Sequence, residues 1–418
     1  LVPYYRFPVL YELRDRAGRL VKQVADIPLA EDIPKGFGAV REGPRNFSWR
    51  DDQPATLTWV EAKDGGDPAV EAEVRDRLYF LEAPFAGQPT ESIGFGLRYG
   101  GITWRDDALA VAYEYWWSTR QRIISRFAPQ DGGSKEVLFD FSSEDRYNNP
   151  GNFVTVENEF GREVLMTGEN GDVLYLTGPG ASPEGNRPFL RAYDLNTKQT
   201  EELWRNAGPV YEYPIRLLDP QEGRMITRLE SPEQPPNYYL YNFKRDQRTA
   251  LTDFEHPYQA LEGVEKQVVQ FERQDGVPMQ GDLYLPPGYD PEKDGRLPVI
   301  MWAYPREYKS AASAGQVAGS PYEFLRLYWG SPIYWVTQGY AVFDRVSMPV
   351  IGEGEEEPND HFRQNLVRNA EAAVDKIVDM GIGNAAEDTR RIGSDRMAAP
   401  AAQLAERFLR RPPREARQ

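Results

Sequence analysis

The sequence predicts an all-β region over residues 1–260 and an α/β region after it. Three observations carry this reading. Short aromatic and β-branched runs fill the first region, divided by turn clusters such as Asp64-Gly65-Gly66-Asp67-Pro68, Asp131-Gly132-Gly133 and Asn148-Asn149-Pro150-Gly151. No long amphipathic helical stretch interrupts them. Past Leu261, apolar strand-like runs and one long helical periodicity take over.

In chain order, residues 56–60, 77–81, 109–115, 173–177 and 238–243 read as strands. Their number and spacing suit a sandwich, a barrel or a propeller. Blades of about 40–50 residues would place five or six in this stretch. Residues 268–272 and 279–285 form a predicted hairpin around Gln274-Asp275-Gly276. Residues 297–304, LPVIMWAY, are apolar throughout and predict a strand covered on both faces. Residues 340–344 predict a further buried strand. Between Phe362 and Met380, apolar residues at 362, 366, 370, 373, 374, 377 and 378 define one helical face. Asn359 or Asp360 is the expected cap. A strand is expected to start at Arg391-Ile392-Gly393. The boundary between the regions is expected near 255–265.

Composition excludes several functions. The 418 residues carry Lys+Arg 49 against Asp+Glu 65, a net charge of −16. A general nucleic-acid binder would need a basic face. There is no cysteine, hence no disulfide, thiolate metal site or cysteine nucleophile. Two histidines are too few for a multi-histidine metal centre, and no cofactor is expected. The chain begins at Leu1, and no signal-peptide pattern follows. Its longest notable apolar run falls far short of the ~20 residues of a membrane helix. A soluble protein is expected, its compartment and oligomeric state left open.

Longer strings are more specific. RQDGVPMQGDLYLPPGYD (273–290), LPVIMWAYP (297–305), GYAVFD (339–344) and DTRRIG (388–393) resemble the prolyl oligopeptidase family of serine peptidases. WRDDQPATLTWVEAKDGGDP (49–68), EYWWSTR (114–120), SEDRYNNPG (143–151), GPGASPEGNRPFL (178–190), WAYPREYKS (302–310) and MPVIGEGEEEPND (348–360) resemble its glutamyl endopeptidase-like branch. The resemblance covers roughly residues 1–393. It implies a β-propeller, incomplete here, over 1–260, followed by the N-terminal part of an α/β-hydrolase domain over 261–393. The Ala/Arg/Pro-rich tail, 394–418, does not match. It also implies peptide cleavage through a serine, with a glutamyl preference, and blades upstream of this chain. Open strand edges would then favour association.

In that family the strand at 391–393 leads into a G-x-S-x-G elbow, with aspartate and histidine following. Here Ser394-Asp395-Arg396-Met397-Ala398 follows, and no G-x-S-x-G occurs in the chain. The chain alone is therefore expected to be inactive. Ser313, in Ala311-Ala312-Ser313-Ala314-Gly315, comes nearest to an elbow but follows a polar stretch, so a loop serine is expected. His256 precedes every hydrolase strand and is expected to be structural; His361 is expected in a helix's first turn. Glu353, Glu355, Glu356, Glu357 and Asp360 are expected as a solvated loop near a helix N-terminus. Tyr304 is the one site position carried over. The resemblance implies an oxyanion-binding hydroxyl there, although Pro305-Arg306-Glu307 stands where glycines often follow. A packed aromatic at a strand end is the alternative for Tyr304. For the whole chain, the alternative function is a non-catalytic propeller module that binds a peptide or a partner.

Overall fold

The structure is a computed structural model, and it describes residues 6–383. The expected strand start at 391–393 and the 394–418 tail lie outside the described residues. Within them the chain divides into two units. The first holds residues 6–143, 152–176 and 192–201; the second holds 144–151, 177–191 and 202–383.

In the first unit, β1 (Val9–Arg14) and β2 (Leu20–Ile27) form a hairpin. Strands β3 (Pro44–Trp49), β4 (Thr56–Ala62), β5 (Asp76–Glu82) and β6 (Thr90–Phe95) form one antiparallel meander. A second meander joins β7 (Arg98–Asp106), β8 (Leu109–Tyr115), β9 (Gln121–Phe127) and β10 (Lys135–Ser142). Alternation explains why β4 is buried on both faces. Leu57 and Trp59 point with Tyr79 and Leu81 toward Leu13. Val60 points with Leu78 and Phe80 toward Trp104, Ala110, Ala112 and Phe127 on the neighbouring sheet. Each fully buried Leu, Val or Phe contributes on the order of 1.5–3 kcal/mol. The four-stranded antiparallel meanders bear out the all-β reading of this region. A short pair, β12 (Thr155–Glu157) and β13 (Glu163–Leu165), completes the unit's hairpins. Strands β11 (Asn152–Phe153), β14 (Val173–Gly178), β15 (Phe189–Asp194) and β16 (Thr200–Arg205) lie where the chain passes repeatedly between units.

A charge network, read in the sequence only as a turn, lies inside this unit. Asp64 and Asp76 have fully buried carboxylates. The Arg98 guanidinium donates to both, at 2.9 and 3.1 Å. Arg75 donates to Asp64 at 2.9 Å, and Arg45 pairs with Asp76. The network joins the turn after β4 to the starts of β5 and β7.

The second unit begins with another meander, β17 (Tyr211–Asp219), β18 (Arg224–Glu230), β19 (Asn237–Asn242) and β20 (Gln247–Ala250). Then comes a mixed sheet of β21 (Glu265–Glu272), β22 (Pro278–Leu285), β23 (Val299–Tyr308) and β24 (Ala341–Ile351), in the order β21-β22-β24-β23. The first pairings are antiparallel, and β23 runs parallel to β24. This is the expected change to α/β structure. The short helices α1 (Pro291–Asp294) and α2 (Ala311–Ala314) flank β23, and α3 (Phe362–Asp379) follows β24. Val269, Leu283, Phe343, Ala373 and Ile377 share the core between sheet and helix.

Three expectations are corrected here. Residues 297–304 are not covered on both faces: Val299, Ile300 and Met301 are half-buried, whereas Trp302 is 51% and Tyr304 82% exposed. Among the described residues β23 pairs only with β24, so no strand pairs with its other edge. The helix cap is not Asn359 or Asp360 but His361, without a side-chain capping bond. Pro358 opens a 3-10 turn over Pro358–His361, which places both candidates inside a helical turn already. The buried stripe of α3 is Asn365, Asn369, Ala373 and Ile377, rotated from the apolar face. Arg273, itself buried, donates to both asparagines at 3.0 and 2.7 Å, so polar residues occupy the core side.

Candidate functional site

The site is built where β22, β23 and β24 run side by side. Leu283 and Phe343 are fully buried and fix the sheet there. Along the parallel pair, Met301 stands beside Phe343 but Ala303 beside Val346. Two residues, Asp344 and Arg345, therefore oppose Trp302 alone, which is a β-bulge. Arg345 takes the left-handed conformation, φ +50, which is uncommon outside glycine. Its guanidinium holds Asp282 of β22, through Nε at 2.8 Å, and lies 3.8 Å from Glu323. Past the bulge, β23 emerges from the core and presents Trp302 and Tyr304.

These residues border a cavity of about 530 Å³. Its floor carries Asp282, Tyr284, Asp344 and Arg345; its walls carry Trp302, Tyr304, Tyr308, Glu323, Arg326 and Arg146. Burial raises the Asp344 carboxyl above its ordinary range. Burial also lowers the neighbouring Lys266 ammonium, although Asp282 opposes the shift. Burial opposes the charge on Arg345 as well, but Asp282 outweighs it and the guanidinium stays firmly protonated. Arg326 is paired with the buried Glu230 at 3.1 Å.

Arg146 enters the cavity from the loop 144–151, which belongs to the same unit. Its backbone N–H donates to Gln316 Oε1 at 2.6 Å. Its guanidinium donates to the Gln316 carbonyl at 3.2 Å and the Tyr308 hydroxyl at 3.1 Å. Gln316 Nε2 in turn donates to Asp145 at 2.8 Å, and the Val317 N–H donates to the Tyr147 hydroxyl. Burial raises the Asp145 carboxyl, yet bonds from Asn148 and Gln316 hold it below the usual carboxylate range. The sequence reading held this arginine only within the string 143–151 and did not single it out, because the groups that fix it lie 162 to 170 positions away.

Of the sequence candidates, only Tyr304 lines the cavity. It is not a packed strand-end aromatic: its ring stands free at 82% exposure. Ser313 is not in a loop but buried in α2, where its backbone N–H donates to the Ser310 hydroxyl. Ser310 caps a helix that starts three residues after the end of β23, which the polar composition concealed. His256 accepts from the Tyr258 N–H at 3.1 Å and meets the Phe324 ring edge-on, a structural role. His361 sits at the start of α3, 3.5 Å from Glu356. The acidic residues 353–360 are exposed, and Glu353 accepts from the Ala311 N–H. Among the described residues, no group of three or more His, Cys, Asp or Glu is placed to hold a metal ion. No helix among them is long and apolar enough to cross a membrane.

No family model matches the chain. Two curated plant proteins do, each named "Probable glutamyl endopeptidase, chloroplastic". The one from Oryza sativa subsp. japonica is 40% identical over 399 residues, covering 92% of this chain and 42% of the relative. The one from Arabidopsis thaliana is 40% identical over 400 residues, with the same coverage. The chain thus spans less than half the length of these relatives. Among solved structures, the Pyrococcus horikoshii acylaminoacyl peptidase aligns with 89% of this chain and 49% of its own, at 13% identity and a TM-score of 0.48. Oligopeptidase B from Leishmania major aligns with 81% and 50%, at 10% identity and a TM-score of 0.45. The resemblance to glutamyl endopeptidases read from the sequence is thus borne out over 92% of the chain.

Proposed function

We propose that this chain forms part of a soluble serine peptidase that cleaves peptides by acyl transfer, with a preference for glutamyl bonds. The observation that carries the reading is the 40% identity, over 92% of the chain, to two proteins named as glutamyl endopeptidases. The cavity supports it, because a peptide needs an open, polar-edged cleft and Tyr304 stands exposed on its wall. In this reading residues 1–260 are propeller, 261–393 the front of the hydrolase domain, and 394–418 an atypical tail. Tyr304 donates its hydroxyl to the oxyanion of the tetrahedral intermediate. The nucleophile, acid and base come from sequence that this chain does not contain, since no G-x-S-x-G occurs in it.

The isolated chain should neither label with a fluorophosphonate probe nor turn over a glutamyl peptide, because losing triad members removes ~10⁴–10⁶ in rate. Stoichiometric serine labelling would sink that expectation. In a protein of the relatives' full length, Tyr304→Phe should lower kcat roughly 10²–10³-fold and leave KM nearly unchanged. An unaltered kcat removes Tyr304 from the oxyanion site. If the full-length protein binds peptide yet never labels, a non-catalytic binding module is the correct reading.

A further inference from the structure

The buried charge network of the first unit does not balance. Three guanidinium groups, Arg45, Arg75 and Arg98, face two carboxylates, Asp64 and Asp76. Among the described residues no third carboxylate lies within 4.0 Å of any of the three. Both carboxylates are fully buried, and the arginine side chains are at most 12% exposed. One positive charge in excess is therefore held away from water, where an uncompensated ion is costly. The hydrogen bonds leave the same remainder. All four carboxylate oxygens already accept from an arginine, and Asp64 and Asp76 accept from the Gly66 and Tyr99 N–H groups as well. Arg98 Nε donates to the Gly38 carbonyl at 2.7 Å, and the Arg75 guanidinium lies 4.1 Å over the Trp116 ring. Two buried donors have no acceptor among the described residues: Arg45 Nη1, and Arg98 Nη2, which passes 2.9 Å from Asp64 outside hydrogen-bond geometry. Asp76 holds both of these guanidinium groups, Arg45 at 2.5 Å on one oxygen and Arg98 at 3.1 Å on the other, so the two donors belong to one locus.

We propose that Arg45 Nη1 and Arg98 Nη2 bind a small monovalent inorganic anion of the chloride class inside the first unit. Buried donors of this kind take a water or an ion as partner. A water satisfies the two donors but leaves the charge; an anion satisfies both. It is monovalent because the excess is a single charge, and small because the side chains around it are nearly closed to solvent. Its structural effect is to tie β3, which carries Arg45, to the starts of β5 and β7, which carry Asp76 and Arg98. The site lies apart from the cavity beside β23 and does not depend on the peptide-cleaving reading.

The test melts the 418-residue chain in sodium chloride mixed with sodium gluconate at fixed ionic strength, gluconate being too large to enter. Because the anion binds the folded state, each tenfold rise in chloride should raise Tm by about 3–5 °C. Arg45→Gln brings the network to two charges of each sign and removes one donor, so the response to chloride should vanish. Arg45→Lys restores the charge without the guanidinium fork and should recover part of it. Arg19→Gln, at an arginine 82% exposed on the hairpin of β1 and β2, should leave it whole. Equal Tm at every chloride fraction in the unaltered chain means that water satisfies the donors, and overturns the proposal. A response that persists undiminished in Arg45→Gln overturns it too, by placing the anion elsewhere. Should Arg45→Gln fail to fold, crystals of the unaltered chain grown in bromide decide the matter. An anomalous peak between Arg45 and Arg98 supports the site, and density there without anomalous signal overturns it.

Discussion

Asp64 shows how one buried carboxylate ties stability to pH. Burial raises its pKa, but bonds from Arg98 and Arg75 and from the Gly66 N–H outweigh burial and hold it below the ordinary value. Such a group stabilises the fold fully above its unfolded pKa, about 3.9, and that contribution is lost as pH falls through the folded value. Asp64→Asn leaves Arg75 and Arg98 short of a counter-charge, a loss of about 3–5 kcal/mol at neutral pH. Urea unfolding at pH 7, 5 and 3 should therefore show a gap between the two proteins that narrows below pH 4. A gap that stays constant means Asp64 is not ionised differently in the folded state. Nothing in the sequence separated Asp64 from an ordinary turn aspartate. Its role depends on Arg98, which lies 34 positions along the chain.

Among the elements, α3 is the sharpest test of what holds the second unit's sheet to its helix. Arg273 leaves β21 and reaches Asn365 and Asn369, while Asn369 donates to the Pro349 carbonyl. Arg273→Ala strands two buried amide oxygens, each worth about 1–3 kcal/mol when left unpaired. Hydrogen exchange should quicken along α3 by at least tenfold while β4 and β5 keep their protection. Equal quickening in both places would mean global destabilisation rather than release of the helix. The strands and the helix were legible because their apolar spacing follows the backbone period. The face of α3 was not, because asparagines satisfied by a distant arginine read as solvent-facing. The bulge at Arg345 was hidden as well, since a positive φ at a non-glycine leaves no local signal and its partner Asp282 lies 63 positions away.

At the scale of the molecule, a net charge of −16 opposes contact between copies, while Trp329, fully exposed, and Tyr304, Tyr328 and Trp335 invite it. Repulsion reaches about 10 Å at 0.1 M salt and about 3 Å at 1 M. Light scattering from the isolated chain should therefore rise between 0.05 and 1 M salt, whereas a steady monomer at both would show that the aromatic surface is harmless. The clamp between Arg146 and Gln316 has a different consequence, set by time. The two residues are 170 positions apart. A ribosome adding about 5–20 residues per second exposes Arg146 roughly ten to thirty seconds before its acceptor exists. During that wait the loop 144–151 has no partner from residues 308–317. Cleavage there by a protease, or capture by a chaperone, should depend on how fast the message is read.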